Sequence, residues 1–173
     1  MDIKRETNFK DDLIKYGKPG EGVIANFFRS KGYVVSEPND DSQYDFIAKN
    51  NYKEFKVEVK NDQKCITPTL AWLPTSDTGN IFIEYTSWNR DAGIRTTKAD
   101  IYAYMFEKLK PKELWLIKVD DLKRLIDTNN FMTTKESGDE GSNTEGYLIP
   151  RYDFIDKFVL YKEINSKWIL HKK

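Results

Sequence analysis

Residues 55–60 read Phe-Lys-Val-Glu-Val-Lys, so Phe55, Val57 and Val59 alternate with Lys56, Glu58 and Lys60. Strict alternation of apolar and charged residues is the pattern of a β-strand with one dry face and one polar face. A strand of that kind has to pair within a sheet and bury its apolar side, which restricts the chain to folds built on a half-buried sheet. Residues 44–48, Tyr-Asp-Phe-Ile-Ala, read as a neighbouring strand, and the turn within 48–53 predicts a β-hairpin. Upstream, Pro19 and Gly20 precede a run with apolar residues at 23, 24, 27 and 28, and Gly32 ends it; these are the start and stop signals of an amphipathic helix.

Further along, residues 33–35, 80–85 and 114–119 read as strands, 99–109 as a strand in preference to a helix, and 120–128 as a short helix. Pro68, Pro74 and Gly79 mark 65–80 as a long loop in which the apolar 70–73 could pack on the core. The polar stretch 128–146, with Glu136, Asp139, Glu140 and Glu145, is expected to be a mobile loop too acidic to hold DNA unaided. Residues 147–150, 158–164 and 167–170 supply short closing elements. The order implies an α/β fold with a mixed sheet, and 173 residues fit one domain, 1–173, large enough to bury a core without disulfides.

Composition narrows function chiefly by exclusion. Twenty-eight basic and twenty-eight acidic residues cancel, so no overall positive field coats the molecule and any nucleic-acid contact must be local. Cys65 is the only cysteine, which rules out an internal disulfide and a cysteine-rich metal site, and suits a small buried residue in a reducing compartment. His171 is the only histidine and lies near the end of the sequence, so multi-histidine metal sites and a histidine base are not expected. No apolar run approaches the length of a membrane span, and the expected location is the cytoplasm, with no membrane partner.

In the hairpin, Glu58 and Lys60 share a face with side chains rooted roughly 7 Å apart. Asp45, near the start of the preceding strand, can approach Glu58 if the two strands are antiparallel. Two carboxylates so close repel and raise each other's pKa unless a cation lies between them, and hard oxygen ligands favour Mg²⁺ or Mn²⁺ over zinc. Glu21, in the first turn of the helix, is a third acid that could reach the same ion directly or through water, and Lys60 could stabilise or orient an attacking water.

These residues, Glu21, Asp45 and Glu58-x-Lys60 in the order helix, strand, strand, resemble the PD-(D/E)xK nuclease superfamily over roughly residues 17–62. The resemblance implies a restriction-endonuclease-like mixed sheet flanked by helices, with 80–85 and later strands extending the sheet. It also implies Asp45 and Glu58 as Mg²⁺ ligands with the carbonyl of Val59, Lys60 assisting phosphodiester hydrolysis, and products with 5′-phosphate and 3′-hydroxyl ends. Tyr44 stands where the family usually has proline. The small size and the helix-strand order also look like Holliday-junction resolvases of that superfamily, which would act on branched DNA as a homodimer; a restriction-type endonuclease or an exonuclease is the near alternative. Arg95, Thr96, Thr97 and Lys98 are candidate phosphate contacts, and Glu84 is either a further acid of the site or a polar edge residue. Among aromatics, Trp72, Trp88, Tyr102 and Tyr104 could stack on unpaired bases, with the tyrosines better suited to the core. The rival class is a non-catalytic module that binds nucleic acid or protein, with the acids as surface decoration.

Overall fold

Pro19 and Gly20 do open a helix. The computed structural model describes residues 18–39, 43–66, 77–136 and 143–172, and its first element is α1 (Lys18–Ser30). Gly32, at φ +84°, ends it: the left-handed conformation turns the chain so that the Tyr33 N–H reaches back to the Phe28 carbonyl at 3.1 Å. There follow β1 (Val34–Val35), β2 (Phe46–Lys49) and β3 (Glu54–Asp62), then β4 (Asn80–Ser87) and β5 (Arg90–Asp91). A 3-10 turn at Gly93–Arg95 leads to β6 (Ile101–Phe106) and β7 (Glu113–Lys118). The rest comprises α2 (Val119–Thr128), β8 (Met132–Glu136), β9 (Thr144–Pro150), a 3-10 turn, β10 (Val159–Ile164) and β11 (Lys167–Lys172).

The strands form two sheets, one of seven in the order β1-β2-β3-β6-β7-β10-β11 and one of four in the order β5-β4-β9-β8. β2 and β3 are the antiparallel hairpin the alternation predicts, while β3 and β6 run parallel, with Glu58 beside Tyr102 and Lys60 beside Tyr104. Alternation sorts the side chains between two cores. Val57 and Val59 go with Phe46, Ala48, Ala103 and Met105 to the face covered by Ile24, Phe27 and Phe28 of α1. Tyr102, Tyr104 and Trp115 point the other way and pack with Ile81, Ile83 and Ile149 of the four-stranded sheet and Leu122 and Leu125 of α2. Burying a large apolar side chain is worth roughly 1.5–3 kcal/mol, so a one-residue slip of β3, which would exchange these faces, is strongly disfavoured.

Three expectations change here. The sheet is not simply flanked by helices: α1 covers one face, and the second sheet covers much of the other. Nor does the strand at 80–85 extend the hairpin's sheet, because β6 takes the place beside β3 and β4 pairs with β9. The polar stretch 128–146, read as a loop, holds β8 and the start of β9, paired from Met132↔Leu148 to Glu136↔Thr144; β-branched Thr133 and Thr134 suit a strand that needs no apolar alternation when it is exposed at an edge. Residues 70–73, Trp72 among them, and 137–142 lie outside the described residues.

Candidate active site

At the start of β2 the hairpin ladder becomes irregular. Phe46 pairs with Val57, yet the Asp45 N–H also reaches the Val57 carbonyl, at 2.8 Å, and the Asp45 Oδ2 accepts the Val59 N–H at 2.6 Å. A side-chain carboxylate thus stands where the next backbone carbonyl of β2 would have been. The N–H and C=O of one strand residue point to the same edge, so the Val59 carbonyl opens past the end of β2 on the side where Asp45 sits.

Glu58 and Lys60 project from β3 on the face of Tyr102 and Tyr104. Glu58 is buried, and its Oε1 is 2.8 Å from the Lys60 Nζ. Burial pulls the Lys60 pKa down, but Glu58 outweighs it and the net direction is upward, so Lys60 stays an ammonium. Asp45 moves from 3.8 to about 6, first because it is desolvated and then because Glu58 is beside it, with the Val59 N–H and Lys60 acting against the rise. Glu84 of β4 is also pushed up, by burial first, with Glu58 adding to the rise and Lys60 opposing it. Tyr102 is 1% exposed, and its hydroxyl makes no hydrogen bond. Burial raises its pKa, and the neighbouring charges are Lys60, Glu58, Glu84 and Asp45. A buried hydroxyl without a partner costs about 1–3 kcal/mol, an expense that points to a partner the described residues do not supply.

Glu21 lies in the first turn of α1, which meets β3 so closely that a Cβ on Gly20 would sit 2.8 Å from the Asn61 Cβ. From there it adds to the rise in the Asp45 pKa as the smallest of the resolved influences. Among the described residues no three carboxylates, histidines or cysteines gather closely enough to hold a metal ion. Glu21 lies within electrostatic reach of Asp45, and Glu84 within reach of Glu58 and Lys60.

The chain matches no protein-family model and no curated protein. Among solved structures, that of a bacterial homing endonuclease, I-Ssp6803I, is similar at a TM-score of 0.44 and 15% identity, covering 72% of this chain and 81% of that one. So distant a likeness says nothing of this chain's chemistry.

The basic segment reaches the site through its backbone. Thr97 Oγ1 donates to the Gln43 carbonyl at 3.0 Å and accepts the Ala99 N–H at 3.1 Å, and the Lys98 N–H reaches the same Gln43 carbonyl at 2.9 Å. Thr97 is buried and its hydroxyl is engaged, so it anchors the lead-in to Asp45 and is not open to a phosphate, contrary to expectation. Arg95, Thr96 and Lys98 are exposed. Arg95 pairs with Asp91 at 2.9 Å and lies over the Tyr85 ring at 4.6 Å. Tyr102, a candidate for base stacking better suited to the core, is a core residue with its hydroxyl in the charged cluster. Its place in the charged cluster follows from the parallel β3–β6 register, which no local pattern in the sequence encodes.

Proposed function

We propose that the chain is a Mg²⁺- or Mn²⁺-dependent deoxyribonuclease that hydrolyses a phosphodiester bond, and that its substrate is branched DNA cut endonucleolytically. The reading is carried by one observation: the hairpin brings Asp45, whose carboxylate takes the Val59 N–H, to the part of β3 where Glu58 is buried against Lys60, and burial first and Glu58 second raise Asp45 to about 6. The donor set suits a hard divalent ion, since Mg²⁺ typically takes one or two carboxylates and completes its shell with water and phosphate oxygens. Asp45, Glu58 and the Val59 carbonyl would hold it. When bound, such an ion supplies Lewis-acid polarisation of a phosphate oxygen and a more acidic water. Lys60, ammonium at neutral pH and 2.8 Å from Glu58, would orient the attacking water or balance charge on the phosphate oxygens. Exposed Arg95 and Lys98 position the DNA backbone. A junction resolvase would require two copies of the chain to cut opposed strands, so a homodimer belongs to the same reading, as does action in the cytoplasm. No helix among the described residues is long and apolar enough to cross a membrane.

The test is a panel of labelled four-way junction, flap, single-stranded and linear duplex DNA, each incubated with Mg²⁺, Mn²⁺ or chelator. Junction cleavage should depend on the divalent ion, and Lys60→Ala should lower it by about a hundred- to a thousandfold while binding persists. Preference for linear duplex would favour the restriction-type or exonuclease alternative. If no substrate is cut and Lys60→Ala alters nothing, the chain is a non-catalytic binding module.

A further inference from the structure

β4 and β5 are joined by the two residues Trp88 and Asn89, with Ser87 paired to Arg90 across the turn. Both turn residues have positive φ, +53° for Trp88 and +58° for Asn89, as in the tight hairpin turns where Asn and Gly are favoured. Asn89 fits that rule. Trp88 does not: a bulky L-residue is disfavoured in the left-handed region. Among the described residues nothing compensates: the indole is 55% exposed and takes part in no ring or cation contact there.

The tip is also locally basic. The Asp91 carboxylate is taken by Arg95, whereas Arg90 and Lys98 are exposed and form no ion pair among the described residues. Trp88 stands four residues beyond Glu84 on the same chain segment, roughly 13 Å away at the rise of a strand. That separation corresponds to about four base steps of DNA. A strained, exposed indole beside a free guanidinium, at the end of the strand that carries Glu84, has the chemistry of a stacking platform for an unstacked base.

We propose that Trp88 is a wedge that stacks on an unpaired base of the DNA, a few base steps from the Glu84 end of the cluster of Asp45 and Glu58, with Arg90 on the adjoining phosphate. This rests on the deoxyribonuclease reading, and it explains a preference for DNA with unpaired or easily unstacked bases.

The test uses the full chain in Ca²⁺ with a labelled four-way junction and with duplex carrying a fluorescent adenine analogue at an unpaired position. Trp88→Asn should raise the melting temperature, because asparagine accepts the left-handed turn, and yet weaken junction binding by about 5- to 100-fold. Trp88→Phe should retain most of the binding. Wild type should quench the fluorescent base and Trp88→Asn should not. If wild type binds and cuts DNA while Trp88→Asn binds and quenches equally, the wedge is wrong and the nuclease reading stands. If wild type neither binds nor cuts any DNA, both fall together.

Discussion

Arg151 and Lys60 are both cations set among carboxylates against the same face of the seven-stranded sheet, and their surroundings differ. Arg151, wholly buried, makes two hydrogen bonds to Asp77 at 2.8 and 2.5 Å and lies over the Phe106 ring at 4.3 Å. Only its Nε lacks a hydrogen bond, with the Glu113 carboxylate 3.7 Å away. Glu113 in turn accepts the Trp115 indole N–H at 2.9 Å and pairs with Lys162 at 3.3 Å. Two acids meet two cations, and the Asp77 pKa is lowered, chiefly by its hydrogen bonds to Arg151. Around Lys60, by contrast, Asp45, Glu58 and Glu84 face one ammonium, two of those acids are pushed up, and the Tyr102 hydroxyl bonds to nothing. Charge that is balanced internally serves the fold; charge left unbalanced calls for something from outside.

That contrast can be broken by substitution. Arg151→Met should have the largest effect on stability, a loss of about 3 kcal/mol from leaving half-buried Asp77 without its cation and buried Glu113 with Lys162 alone. The thermal midpoint would fall by about 10 °C; a variant that melts like wild type would show that the Arg151 group is not structural.

At the other cluster the sign reverses. Asp45 titrates near 3.8 when unfolded and about 6 when folded, so the native chain retains a proton that the unfolded chain releases. Stability falls as pH rises through that window and the cost is complete at pH 7. Without divalent ions, Asp45→Asn should therefore stabilise the protein at pH 7 by on the order of 2 kcal/mol, and the gain should vanish near pH 4. Equal melting of variant and wild type at pH 7 would mean that neither burial nor Glu58 holds the Asp45 carboxyl up. The smallest shift is expected for Tyr102→Phe, which removes a hydroxyl with no partner: stability should change by less than about 1 kcal/mol, upward, while cleavage falls by about tenfold or more. A clear loss of stability would reveal an internal partner for that hydroxyl.

The parts of the molecule legible in the sequence are those written in local periodicity and turn chemistry. The 55–60 alternation and the turn before it specify the β2–β3 hairpin, and the spacing of Ile24, Phe27 and Phe28 with Gly32 specifies α1, so the expected approach of Asp45 to Glu58 and Lys60 follows from short-range pattern. Pairing over long separations leaves no such mark. The residues of β4 alternate as they would in either sheet, so its membership of the second sheet, and with it the arrival of Glu84, is decided by tertiary packing. Tyr102 joins the cluster only through its register with Glu58, forty-four residues earlier. Glu21 was legible as a first-turn acid, but its distance from the pair depends on how α1 rests on Asn61. β8 escaped because an exposed edge strand can be polar on both faces.

The parallel join of β3 to β6 has a consequence for biosynthesis. Parallel neighbours require an excursion of the chain between them, and here that excursion carries β4, β5 and the Trp88 turn. A growing polypeptide therefore makes the hairpin with Asp45, Glu58 and Lys60 first, and holds it with one edge bare until Phe106 has been synthesised and the crossover closes. Tyr102 is placed by that closure, whereas Glu84 waits for its β9 partner Gly146, so the cluster is completed only after the second sheet has been made.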